Sequence, residues 1–311
     1  MYTTTLPHYE PIVNIKYWNM KKLIFSIIAV ATVFGSQAQL LWKVSGGDSK
    51  GDSYLFGTHH IAPASVLDTT PGFNDALNSV STVYGELEMA EMTSPDMQQI
   101  VMKHSVAPAD STLSKLLTAE RVDSVNSILA KYTGGMLTVA AVDMMKPTVL
   151  DTQLGMFQNM VAFPEFNGQQ QLDMVIQSKA LETGKTVKGL ETMDQQLSML
   201  MGGPLSEQAE SLMKSVRNDE KSIEYAKLLA AAYLAGDLAK MQEMFNDPDV
   251  GMSEASAKRL LYDRNDNWVK QLREVLAVDN VMVAVGAAHL IGERGLIEQL
   301  RKAGYDVTPV K

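Results

Sequence analysis

Cysteine is missing altogether from these 311 residues. No disulfide can staple the fold, and no thiolate can act as nucleophile or metal ligand. A metal site in this chain has only nitrogen and oxygen donors to draw on. Positive charge is in deficit: 27 Lys and Arg stand against 36 Asp and Glu, for a net charge of −9. An acidic chain without a basic run is a poor match for nucleic acid. Long apolar runs are also wanting. The one candidate, residues 23–34 (LIFSIIAVATVF), is too short to span a bilayer. Histidine is scarce, with five in the whole chain, so the places where it does occur are informative.

The apolar run makes sense as part of an export signal. Met20 offers a second start, Lys21 and Lys22 supply the charged region, and Ser36-Gln37-Ala38 is a small-x-small cleavage site. The expectation is a mature chain from Gln39, with residues 1–19 an upstream extension. It is periplasmic or secreted and has no membrane span once the signal is removed. Losing Glu10, Lys16, Lys21 and Lys22 leaves 35 acidic and 24 basic side chains, a net charge of −11.

Past the signal, strand patterns lie at both ends and helix patterns in the middle. Residues 40–45 and 53–56 read as a strand pair around a Gly- and Asp-rich turn. Residues 82–88 (TVYGELE) read as a third strand, with Glu86 and Glu88 two apart and hence on one face. Residues 281–285 are a short β-branched apolar run, read as a strand buried on both faces. Residues 305–310 close the chain as a last strand. From about 94 to 279 the pattern is mainly helical, broken by a short strand at 186–191 that ends in Glu191. Helix starts are placed at Pro95, Asp110-Ser111, Thr118 and Lys146-Pro147, and residues 172–181 read as an amphipathic helix. Between 253 and 278, Leu261, Asn265, Trp268, Leu272 and Val275 form one stripe with Arg264 at its edge. The fold class is therefore α/β. A central mixed, mostly parallel sheet is built from both ends of one domain, residues 39–311, and a long helical insertion fills the middle.

Two strands end in the same way. Phe56 leads into Gly57-Thr58-His59-His60, and Val285 into Gly286-Ala287-Ala288-His289. Open α/β sheets bind ligands beyond the carboxyl ends of their strands. His60, His289 and a carboxylate from Glu86 or Glu88 would make a sufficient first shell for a divalent metal with an open position. Arg264 or Asn265 could hold a carbonyl or a developing oxyanion. Singly, a Gly-x-x-His is weak, because such a histidine is more often a satisfied structural residue. Arg264 and Asn265 have the same bland alternative, a structural pair met by a neighbouring carboxylate. His289, between a buried strand and a glycine-marked helix, is expected to face the cleft and to contribute little packing.

The motifs taken together are more specific. LFGTHH, GELEM, TVKGLETMDQQL, RNDNW and VMVAVGAAHLIGERGLIEQLRKAGYDV, in this order, resemble the TraB/PrgY/GumN family, which includes the Tiki proteins. The resemblance covers about residues 40–310. It implies a fold like the erythromycin-esterase and ChaN group, with the motifs gathered at one end of the sheet. It implies a metal-dependent peptidase using manganese or cobalt, with zinc left open, acting on a peptide or an exposed protein terminus. Matched position by position, His60, Glu86 and His289 fall on the metal-site positions, and Gly57 and Gly286 on their glycines. Arg264 and Asn265 fall on the Arg/Asn position, so that Glu86, Arg264 and Asn265 become the catalytic candidates. Glu88 and Glu191 are secondary candidates, and His59 stands where the family is usually apolar. The alternative is a protein that binds haem or a small molecule, or regulates, on the same scaffold without catalysis.

Overall fold

A computed structural model describes residues 39–166, 170–247 and 252–311. The signal and upstream extension expected at residues 1–38 lie outside the described residues. Among the described residues no helix is long and apolar enough to cross a membrane.

The sheet has six strands: β1 (Leu41–Ser45), β2 (Ser53–Thr58), β3 (Thr82–Gly85), β4 (Thr186–Gly189), β5 (Val281–Gly286) and β6 (Asp306–Pro309). Their spatial order is β4-β3-β5-β2-β1-β6. β4, β3, β5 and β2 are mutually parallel, while β1 runs antiparallel to both β2 and β6. The sheet is thus mixed and mostly parallel, drawn from both ends of the chain, with β4 added at one edge from within the helical middle.

β5 is central because its sequence permits it. Val281 to Val285 are all buried, and only an apolar run of this kind can be covered on both faces. Met282 and Ala284 face one core, which also holds Phe56, Phe73, Ile176 and Tyr233. Val281, Val283 and Val285 face the other, with Trp268, Leu272, Leu296 and Leu300. A third cluster, around Leu113, Leu129, Leu154 and Leu212, belongs to the helical middle alone.

Local signals set the helix ends. Thr118 caps the helix Ala119–Thr133 by accepting from the Arg121 N–H, and Asp237 caps Leu238–Phe245 by accepting from Lys240. The helix expected over 253–278 is interrupted. A π turn at Lys258–Tyr262 separates Glu254–Ala257 from Asp263–Leu276. Its inward stripe runs through Asn265, Trp268, Leu272 and Leu276 rather than Val275, and Arg264 is buried with it.

One strand is shorter than its pattern. β3 stops at Gly85, and Glu88 already precedes a 3-10 turn, Met89–Thr93. Glu86 and Glu88 therefore do not share a strand face. Glycine permits the bend: a Cβ at position 85 would stand 2.7 Å from the Leu87 carbonyl oxygen, so a larger residue could not follow this path.

The helical middle has its own polar anchor. Asp219 is buried and accepts from Lys131 Nζ (2.6 Å), Tyr132 OH (2.7 Å) and Gln158 Nε2 (2.9 Å). Burial opposes its ionisation, but these donors prevail and hold its pKa below the usual carboxylate value. A depressed carboxylate pKa gives stability that is present above the unfolded value and lost as pH falls below it. Asp219→Asn should cost about 2 kcal/mol at pH 7, roughly 5 °C in Tm. The gap to the parent protein should narrow as pH falls below the usual carboxylate value, where the unfolded parent chain takes up its proton first. Thermal unfolding of both proteins across pH 3–7 checks this.

Candidate active site

Each of the four parallel strands delivers one candidate side chain just beyond its carboxyl end. In spatial order these are Glu191 after β4, Glu86 after β3, His289 after β5 and His60 after β2. Backbone pairing continues past the strands, with Leu190 N donating to Gly85 O and Glu191 N to Glu86 O. The glycines permit close approach. A Cβ at Gly57 would stand 3.1 Å from Ala287 Cβ, where β2 meets the turn carrying His289. Gly286 donates its N–H to Glu86 Oε1 at 2.9 Å, and a Cβ there would press on the same oxygen at 3.2 Å.

Arg264 reaches into this edge from the Asp263–Leu276 helix. Its Nε donates to Glu191 at 2.9 and 3.1 Å. Nη2 donates to Glu86 Oε2 (2.6 Å) and Glu191 Oε2 (2.9 Å). Nη1 donates to the Leu260 carbonyl and to His289 Nε2, each at 3.0 Å. A guanidinium has five N–H groups, and all of them are engaged. The plane also lies 4.7 Å over the Trp268 ring.

This arrangement fixes the His289 tautomer. Arginine only donates, so Nε2 must carry the lone pair, and Nδ1–H donates to Asn265 Oδ1 at 2.7 Å. Asn265 is held in turn, its Nδ2 donating to the carbonyls of His289 and Arg294. Burial, with Arg264 beside it, pushes the His289 pKa down to about 3 against the pull of Glu86. Burial also opposes the ionisation of Glu86, but His289, Arg264, His60 and the Gly286 N–H bring its pKa down to about 2. Since His289 is neutral at neutral pH, Arg264 is the partner that matters there. Glu191 is raised, by burial first and then by Glu86, despite the Arg264 bonds.

His60 stands apart from this buried cluster. Its side chain is 57% exposed, and it lines a cavity of about 220 Å³ together with Glu86 and Asp173. Nδ1 lies 2.7 Å from Asp173 Oδ2, and Thr58 donates to the other Asp173 oxygen at 2.8 Å. Asp173 draws the His60 pKa up to about 9. His59 packs between Phe163 and Tyr233, with ring centroids at 4.9 and 5.4 Å, and has no part in the cluster.

The structure thus brings Glu86, Glu191, Arg264, Asn265 and His289 into one hydrogen-bonded unit, with Gly57 and Gly286 shaping it, and sets His60 at the cavity beside Glu86. Glu88 takes no part in the unit. His289 does not face an open cleft; it is 3% exposed, sealed behind Arg264 and Glu86. Sequence reasoning missed Asp173 and Gln196, which donates to Glu86 Oε2 at 3.1 Å. Asp173 had left a signal: with Gln177 it flanks Ile176 on the buried face of the Leu172–Glu182 helix, where an acid demands a partner.

The donor set fits a divalent metal in kind. Each histidine has Nδ1 paired with an oxygen, Asp173 Oδ2 or Asn265 Oδ1, as metal-ligating imidazoles do. His289 Nε2 has a single lone pair, which serves Arg264 or a metal but not both.

The model of the TraB/PrgY/gumN family matches residues 40–309, and the chain belongs to that family. No curated protein matches it, and no solved structure does.

Because both ring nitrogens of His289 are paired with buried groups, its removal is costly. His289→Ala strands an Arg264 N–H and the Asn265 oxygen in the interior, at a cost on the order of 3 kcal/mol or roughly 10 °C in Tm. Arg264→Ala should cost more, because it leaves two buried carboxylates unpaired. Thermal melts of the two variants check the order; an unchanged Tm for His289→Ala would mean these bonds are absent.

Proposed function

We propose that this chain is an exported, metal-dependent hydrolase that cleaves a peptide or an exposed protein terminus at the cavity beside His60 and Glu86. The observation that carries the reading is a pair of imidazoles with oxygen-fixed Nδ1 atoms, one 3.7 Å from the Glu86 carboxylate and the other lining the same cavity as it. His60, Glu86 and His289 would hold the ion, His289 only when the Arg264 N–H leaves the lone pair of its Nε2. Manganese or cobalt is the expected metal. A bound ion would polarise the scissile carbonyl and lower the pKa of a water molecule.

The chain's own residues supply the rest. Asp173 fixes the ring of His60 and leaves Nε2 as its free nitrogen. Gln196 and the Gly286 N–H orient the Glu86 carboxylate. Asn265 has no polar atom left for a substrate, so it positions His289. Arg264 is in the same state here: it fixes the two glutamates, and it could reach an oxyanion only by exchanging a present partner for it. Export rests on the pattern of residues 20–38, with Gln39 as the mature start.

One feature favours a second reading. All five Arg264 N–H groups and both Glu86 oxygens are already engaged, which suits a scaffold that binds a haem or small molecule, or regulates, without turnover.

Metal analysis and peptide cleavage on the purified protein separate the two. The hydrolase reading expects bound or bindable manganese and peptide cleavage that a chelator abolishes and manganese restores. His60→Ala and Glu86→Gln should each lower cleavage by about 100-fold or more. Asp173→Asn should weaken metal binding about 10- to 100-fold. Full activity in chelator, or in His60→Ala, would remove this reading.

A further inference from the structure

The cavity beside His60 has two unlike walls. His60, Glu86 and Asp173 form one. The other is apolar and rich in methionine: Met89 and Met92 from the Met89–Thr93 turn, Met156 from the Pro147–Ala162 helix and Met193 from the Met193–Leu200 helix. Three separate segments therefore turn thioethers toward the same space.

Gln177, Gln196 and Asp173, three of the polar residues that line the cavity, are occupied with the protein itself. Gln177 Nε2 donates to Leu87 O (2.8 Å), and Gln177 Oε1 accepts from Met89 N (2.9 Å), which pins the turn that carries the methionines. The Gln196 amide is turned to Glu86. The Asp173 oxygens are committed to Thr58 and His60. Among the described lining residues there is no lysine or arginine and no carboxylate besides Glu86 and Asp173, so a guest side chain meets chiefly methionine, leucine and glutamine amide. Met92, at 45% exposed, forms the rim; with the other methionines it makes the apolar lining that a guest would reach first.

We infer that the methionine-lined half of this cavity is a specificity subsite that takes one large apolar side chain, of the leucine, methionine or phenylalanine kind, from a peptide whose backbone lies across His60 and Glu86. The inference rests on the hydrolase reading for the word substrate, but the subsite itself needs only the cavity. Methionine is unbranched and polarisable, so the wall suits several apolar shapes rather than one. An ionised side chain placed there would lose its water without gaining a partner.

The test uses peptides Ala-Ala-Xaa-Ala-Ala, internally quenched for cleavage and fluorescein-labelled for binding, with Xaa as Leu, Phe, Met, Ser, Asp or Lys. The full-length protein should cleave the apolar members at least about tenfold faster in kcat/KM than the Ser and Asp members, the effect of burying one such side chain. Met92→Glu, at an exposed position that the core does not need, should erase that preference and favour Lys. Binding to Glu86→Gln protein, read by fluorescence anisotropy, should show the same ranking without turnover. Apolar-selective binding that Met92→Glu abolishes, with no cleavage by the parent protein, keeps the subsite and overturns the hydrolase reading. Cleavage that is indifferent to Xaa overturns the subsite and keeps the hydrolase. Binding that is indifferent to Xaa, or unchanged by Met92→Glu, also overturns the subsite.

Discussion

One guanidinium holds the carboxyl edge of this sheet together. Arg264 spends all five N–H groups on partners from three strand ends and its own helix. Two carboxylates this close and this buried would repel each other without a cation between them. The cation in turn would not leave water without carboxylates to receive it. Glu86, Glu191 and Arg264 are therefore interdependent, and each accounts for the burial of the others. The tautomer of His289 and the orientation of Asn265 follow from the arginine's inability to accept a hydrogen bond.

Much of this was legible in the chain because strand ends are simple to read. An apolar β-branched run, a glycine and a polar residue soon after give a strand, its exit and a side chain at the edge; β5 and His289 follow that grammar. Four strands doing so in parallel is why Glu191, Glu86, His289 and His60 lie along one edge of the sheet despite their separation in sequence. What stayed hidden was depth. His289 reads as a cleft residue from its neighbours in sequence. It is buried because Trp268, whose ring lies 4.4 Å from it, and Arg264 come from a helix that only packing brings there. The TVYGELE stretch misleads in a similar way. Alternation continues past Gly85, while the backbone turns there in a bend that only glycine accommodates, and so separates Glu86 from Glu88. Asp173 was passed over because its helix was read for its apolar face and not for the acid on it.

The outcome is a site in two parts. One is a buried cluster in which Arg264, Glu86, Glu191, Asn265 and His289 are hydrogen-bonded to one another. Beside it, His60 and Asp173 face a cavity whose far wall is methionine. Catalytic groups are best held by partners that leave one atom free for chemistry. By that criterion His60 Nε2 is the free atom of the site, and Glu86 is the group shared between the buried part and the open one.

The nitrogen chemical shifts of the histidine side chains test this account most directly, recorded on metal-free protein and then during titration with zinc as a diamagnetic probe. In the metal-free state His289 is predicted to be neutral with the proton on Nδ1, down to pH 4 and below, while His60 is protonated at neutral pH. Zinc should displace the His60 proton and shift its Nε2 by direct ligation. A proton on His289 Nε2 would contradict the Arg264 cluster. A His60 resonance untouched at saturating zinc would contradict the metal site.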